Sequence, residues 1–182
     1  MGRPKALLPL TPDDQTTFVQ RLSSLTEGLA TRRAVVSSLP SERLGVELPY
    51  LYQPHPERGQ LDSLLLGWDA HGRDASWVMS CPVDHPYVKR STLQSLVAAV
   101  ESHPQALMWS PTYEGRGGHP VIFSSRLVRE LRPHRREGPR LVVQALGSKR
   151  HRVETDDPGI LADTDTPEDY ARFGQRFRLQ QP

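Results

Sequence analysis

Apolar residues recur along this chain in two alternating rhythms. In TTFVQRLSSLTEGL they return at helical spacing, with Phe18, Val19, Leu22, Leu25 and Leu29 on one stripe, which predicts a helix. RRAVVSS and PYLYQP then read as two short strands. GQLDSLLLGWDA returns to the helical rhythm, with Leu61, Leu64, Leu65 and Trp68 on one face. SWVMSCPV is a strand apolar on both sides, as a central parallel strand is. STLQSLVAAVESH is the clearest helix, with Ser91 as its N-cap and Leu93, Leu96, Val97 and Val100 as its stripe. ALMWSPTY and HPVIFS follow as strands, SRLVREL and GPRLVVQAL as helices, and HRVETD and GILADTD as strand-like segments. TPEDYARFGQRF closes the chain as a helix, with Thr166 as N-cap, Pro167 at N1 and Asp169 at N3. Strands alternating with helices predict an α/β fold around a mostly parallel sheet. In such sheets ligands sit beyond the carboxyl ends of the strands, so chemistry is sought just after each strand.

Composition narrows the class. The 182 residues suit one domain, 1–182, with a substantial core. A formal net charge of +2 is too small for a dedicated nucleic-acid binder. No apolar run approaches the roughly 20 residues that span a bilayer, which argues against a membrane protein. The single cysteine, Cys81, excludes an intramolecular disulfide and suits a reducing compartment, so the expected location is cytoplasmic.

Four stretches carry candidate chemistry. In CPVDHP, Asp84 follows an apolar strand, where a carboxylate holds a hard divalent cation or else caps the turn before Pro86. In LADTDTPEDY, Asp163 and Asp165 precede the helix cap and are not explained by it. Only one of the two acids is expected to meet a given site. In EGRGGHPVIFS, Gly115, Gly117 and Gly118 allow close backbone approach to a ligand, or simply form a hairpin loop. His119 there is a base or a turn residue. In ERGQLDSLLLG, Gly59 opens a helix whose N-terminus faces an anion, or it makes an ordinary strand-to-helix turn.

Taken in order, MGRPKALLPL, ERGQLDSLLLG, CPVDHP, GRGGHPVIFS and DDPGILADTDTPEDY resemble the MobA-like NTP transferase family, which includes the molybdenum cofactor cytidylyl- and guanylyltransferases. The resemblance runs over essentially the whole chain, and CPVDHP and ADTDTPEDY are its most specific parts. It implies a Rossmann-like three-layer α/β sandwich around a mixed sheet, of the nucleotide-diphospho-sugar transferase type. It implies transfer of a nucleoside monophosphate from CTP or GTP to a phosphorylated small-molecule acceptor, with release of pyrophosphate. It places Mg2+ on Asp84 and on a second carboxylate, Asp165 by preference and Asp163 in reserve. Lys5 matches the lysine that meets the triphosphate, with Gly2 and Arg3 in the same loop. Gly59 and Ser63 fall where the base and ribose are contacted, and Gly118, His119 and Pro120 fall on the acceptor side. Lys5, Asp84 and Asp165 are thus the expected catalytic set. Magnesium would neutralise charge built on the bridging and leaving oxygens, and Lys5 would stabilise pyrophosphate. Neither Cys81 nor His119 is required as a nucleophile.

Within the family the expected reaction is that of a molybdopterin cytidylyltransferase, with a partner protein receiving the cofactor. A sugar-phosphate nucleotidyltransferase is the alternative, and a non-catalytic nucleotide- or partner-binding relative a further one. The last arises because relatives open with a strand and a loop of the form LAAGxSxRMGxxK, of which Met1, Gly2 and Lys5 match only the end. The expectation is therefore an N-terminally truncated domain, either begun at an internal methionine or genuinely shortened. Lys5 is then expected to be loosely held at a terminus, NTP binding to be weak, and a groove to run through the sheet. The arginines Arg132, Arg135, Arg136 and Arg140 form a basic cluster expected to attract a phosphorylated ligand, or to be a solvated surface.

Overall fold

The computed structural model describes residues 2–135 and 140–179. The first helix, α1 (Phe18–Leu25), opens with a capping box in which Thr17 and Gln20 satisfy each other's backbone amides. Strands β1 (Val35–Ser37) and β2 (Tyr50–Tyr52) pair in parallel as a two-stranded sheet of their own. Helix α2 (Gly59–Gly67) runs on into a π turn over Trp68–Gly72. Then come β3 (Trp77–Ser80), α3 (Arg90–Ser102), β4 (Met108–Tyr113), β5 (Arg116–Gly117), β6 (Val121–Ser124), α4 (Ser125–Leu131), α5 (Arg140–Ala145), β7 (Arg150–Glu154) and α6 (Pro167–Leu179).

The larger sheet has the order β3-β6-β4-β5, with β7 also on β4. Strand β6 is antiparallel to both β3 and β4, and β7 is parallel to β4. Strands β3, β4 and β7 therefore point one way, so the segments that follow β3 and β7 emerge at the same edge. Among the described residues no pairing joins β1 or β2 to this sheet, and β3 is bonded on one side only.

The period-2 alternation of the strands sends successive side chains to opposite faces. Val78, Met108, Val121 and Phe123 pack under α2 and α4 with Leu61, Leu65, Leu127 and Val128. Trp77, Met79, Trp109 and Ile122 face the other way, against Leu96 and Ala99 of α3. Helices thus cover both faces, giving three layers around the mixed sheet. At the edge beyond β3, two further clusters join the pieces that carry the site. Leu8, Leu10, Phe18 and Tyr87 pack with Tyr170, Phe173 and Phe177 of α6. Leu22, Leu25, Val88, Leu93 and Ile160 pack together beside them. No helix among the described residues is long and apolar enough to cross a membrane.

Two local expectations are corrected. Ser91 is not the cap of α3: Lys89 holds that position without a side-chain cap. The helix start is instead served from outside, by Asp157, whose Oδ2 accepts from Lys89 N and Thr92 Oγ1, both at 2.7 Å. GILADTD is not a strand, because Pro158–Leu161 closes a 3₁₀ turn in which Asp157 Oδ1 accepts from Gly159 N at 2.8 Å. The Thr166–Asp169 cap forms as expected: Thr166 Oγ1 accepts from Asp169 N at 3.1 Å and Asp169 Oδ2 accepts from Thr166 N at 3.2 Å.

Candidate active site

Asp84 sits in the turn that follows β3, closed by His85 N donating to Pro82 O at 3.2 Å. Its own carbonyl accepts from Thr164 N at 3.0 Å, so the segment carrying Asp163 and Asp165 is tied directly beside it. That segment has no strand geometry, and the expectation that only one of the two acids meets the site is corrected. Both reach the Asp84 neighbourhood: Asp163 joins Asp84 and His85 in a group whose ligand atoms all lie within 4.8 Å of one another, and Asp165 accepts a hydrogen bond from Lys5 Nζ.

Lys5 Nζ also lies 3.8 Å from Asp84 Oδ2. The expectation of a loosely held Lys5 is corrected by the anchoring of the residues just after it. Leu8 and Leu10 are buried, and Leu10 O accepts from the Tyr87 hydroxyl at 2.8 Å. Phe18 N donates to Leu8 O at 2.9 Å and Leu10 N to Thr16 O at 3.0 Å. Two apolar anchors and these bonds bring the lysine stem to the acids. Gly2 and Arg3, further out, are exposed.

The 157–165 loop is the joint of the site. Besides its bonds to α3 and to Asp84, Ile160 O accepts from His119 N at 3.0 Å. Gly118 lies so close to this carbonyl that a Cβ there would collide with it, and Gly159 is pressed on the Tyr87 carbonyl in the same way. These two glycines are required by close backbone approach. His119, joined to Pro120 by a cis peptide bond, packs on His85 with the rings tilted by 38° and their centroids 4.9 Å apart.

Electrostatics follow from this crowding. Burial pushes His119 down to about 4, helped by His85, so its imidazole is neutral at pH 7. Burial likewise lowers His85, against the pull of Asp84. Burial raises Asp163 above the usual carboxylate range, and the neighbouring Asp84 and Asp165 add to it. Asp165 is lowered, chiefly by its hydrogen bond from Lys5. Burial pushes the Cys81 thiol up to about 12, which leaves no thiolate to act as a nucleophile at neutral pH. Asp84 Oδ1, His85 Nδ1 and His119 Nδ1 are buried without a hydrogen-bond partner. Buried orphans of this kind beside two carboxylates fit a cation, with Asp84, His85 and Asp163 as the available donors.

Other expected residues lie in separate contacts. Gly59 opens α2 with φ 79°, and Ser63 Oγ accepts from Gln53 Nε2 at 3.1 Å. Gln53 also donates to Asp62 at 3.1 Å. In the basic cluster, Arg132 is bonded to Asp69 at 2.5 and 3.1 Å, and Arg135 to the buried Asp62. Two of its four charges are thus taken up inside the molecule, Arg140 is exposed, and Arg136 lies outside the described residues. His85 and Asp157 were not singled out from the sequence. The available signal for His85 was its adjacency to Asp84, two donors in succession after a strand.

The sequence matches the MobA-like NTP transferase domain over residues 1–153. The chain belongs to that family. No curated protein matches it. Among solved structures it is similar to a nucleotidyl transferase from Methanothermobacter, at 19% identity and a TM-score of 0.77, covering 97% of this chain and 86% of that one. It is similar to the molybdopterin-guanine dinucleotide biosynthesis protein A of Archaeoglobus fulgidus, at 14% identity and a TM-score of 0.70, covering 98% and 93%. It is also similar to the 2-C-methyl-D-erythritol 4-phosphate cytidylyltransferase of Thermus thermophilus, at 19% identity and a TM-score of 0.68, covering 96% and 94%. These likenesses establish the shared α/β sandwich.

Proposed function

We propose that the whole chain, as one cytoplasmic catalytic domain, transfers a nucleoside monophosphate from an NTP, with CTP favoured, to a phosphorylated acceptor such as molybdopterin. The observation that carries this reading is the division of labour at Asp84. Its Oδ1 lies 3.8 Å from His85 Nε2 and its Oδ2 3.8 Å from Lys5 Nζ, while Asp163 offers a ligand atom within 4.8 Å of those of Asp84 and His85. A divalent cation would be held by Asp84 with Asp163 or Asp165, and would neutralise charge on the α-phosphate and on the oxygen bridging to the leaving group.

In the reaction an acceptor phosphate oxygen bonds to the α-phosphorus while the bond from that phosphorus to the bridging oxygen breaks, and pyrophosphate departs with the electron pair. The attacking oxygen is already ionised, so no general base is needed. Lys5 exchanges its bond to Asp165 for the leaving phosphates and stabilises them as a point charge. Gly2 and Arg3 lie on the same segment and would line the triphosphate. Gly59 and Ser63 would meet the base and ribose. Gly118, His119 and Pro120 would line the acceptor side, where a neutral His119 neither repels a cation nor competes as an acid.

The test is pyrophosphate release from CTP and GTP with molybdopterin and magnesium. Asp84→Asn should lower turnover at least about 100-fold with an unchanged melting temperature. Unchanged turnover would make Asp84 a turn residue. A wild-type chain that binds NTP but releases no pyrophosphate would point to the non-catalytic relative.

A further inference from the structure

The proposed reaction holds the cation with Asp84 and Asp163 or Asp165, and gives no role to His85, the third available donor. The residue is 7% exposed, and its Nδ1 has no hydrogen-bond partner. Its Nε2 lies 3.8 Å from Asp84 Oδ1, too far for a hydrogen bond, and that oxygen is itself buried and unpartnered. Burying an imidazole and a carboxylate oxygen face to face with no bond between them costs free energy that an aliphatic side chain would avoid. An ion between them would recover that cost. Two donors on opposite sides of an ion at about 2.1 Å are about 4.2 Å apart. The Asp84, His85 and Asp163 donors, all within 4.8 Å of one another, therefore close on an ion with sub-ångström movements. The ring is also placed: the tilted His119 ring packs on it at 4.9 Å, and the His119 backbone is pinned to Ile160.

We propose that His85 is a direct ligand of this cation through Nε2, and that the Asp84–His85–Asp163 set selects a divalent transition ion, such as manganese or cobalt, over magnesium. The inference rests on the reading that a divalent cation sits at Asp84. Magnesium is a hard ion that keeps oxygen ligands and its own waters, whereas an imidazole nitrogen favours first-row transition ions. Lys5, itself paired with Asp165, stands on the other oxygen of Asp84 and leaves Oδ1 to the ion.

The experiment uses the whole chain and the metal alone, without nucleotide. Mn2+ binding is followed by electron paramagnetic resonance, with Co2+ and Mg2+ measured by competition, and bound Mn2+ is probed for nitrogen modulation of its electron spin echo. The wild type should bind Mn2+ and Co2+ at least about tenfold more tightly than Mg2+, with a nitrogen signal that changes on 15N-histidine labelling. His85→Gln should lose that signal and weaken Mn2+ about tenfold or more, with Mg2+ changed by less than about threefold. Asp84→Asn should weaken every ion. Should His85→Gln not fold, His119→Gln decides in its place: a retained nitrogen signal leaves His85 as the ligand, and a lost one overturns the assignment. Asp84-dependent Mn2+ binding without nitrogen coupling would overturn the role of His85 and leave the carboxylate site standing. Ion binding indifferent to Asp84→Asn would overturn both.

Discussion

Asp157 is 1% exposed and accepts three hydrogen bonds, from Lys89 N, Thr92 Oγ1 and Gly159 N. It touches no proposed ligand, yet it fixes the start of α3 against the loop that brings Asp163 and Asp165 to Asp84. Asp157→Ala would take the shared acceptor away from three donors, a cost of about 3 kcal/mol. For a chain of this size that lowers the melting temperature by roughly 6–12 °C. Asp157→Asn keeps the shape but loses acceptor capacity, so its melt should fall between the two. A melt of Asp157→Ala within a degree of wild type would show that the loop is held otherwise. Nothing local in the sequence marks this residue: its neighbour Asp156 is also acidic, and pairs with Lys89 at the surface at 3.3 Å. Asp84 stood out as a carboxylate directly after an apolar strand, with a turn cap before Pro86 as the other reading. His85 was not, because a histidine before proline reads as a turn residue until its burial is known.

Helices α2 and α4 cover the same face of the sheet, and charged pairs cross between them at the rim. Arg132 and Arg135, just after α4, bind Asp69 and Asp62 of the α2 segment. The Arg135 hydrogen bond is the main reason that Asp62 lies below the usual carboxylate range, against the opposing effect of burial. Arg135→Gln should cost about 1–2 kcal/mol at pH 7, reduced from the fully buried case because the Arg135 side chain is 42% exposed. The sign with pH is set by the lowered value: the stabilisation is present above the unfolded carboxylate pKa and is lost as pH falls through the folded one. The gap between wild type and Arg135→Gln in urea unfolding should therefore be full at pH 7 and narrow below about pH 4. A constant gap would assign the loss to packing of the arginine stem. The elements these pairs join were legible from periodicity, since a 3.6-residue stripe survives whatever it packs against. The pairs were not, because Arg135 and Asp62 are far apart in sequence and a cluster of arginines carries no mark of its partners. The 3₁₀ turn after Asp157 was hidden for a related reason: a distant helix needs its carboxylate, and that need sets its shape.

At the scale of the molecule, the apolar core is unevenly distributed between the two sheets. Met108, Trp109, Val121, Ile122 and Phe123 are all buried, with helices on both faces. Val35, Val36, Tyr50 and Leu51 are only partly buried, and β1 and β2 have only each other as strand partners among the described residues. The site draws on the larger sheet, through the turn after β3 and the loop after β7, and on the N-terminal segment sealed by Leu8 and Leu10. Such a division predicts stepwise opening, because a unit with less buried apolar surface opens below the global unfolding free energy. In native-state hydrogen exchange with low urea, amides of β1 and β2 should exchange through a sub-global opening, while those of β4 and β6 exchange only with global unfolding. The Thr164 amide, bonded to Asp84 O, should behave like the second group, since the loop is tied to β3, α3 and His119 at once. Equal protection free energies in β1, β2, β4 and β6 would mean that the two sheets unfold as one unit and that the smaller one draws support from contacts beyond its own pair.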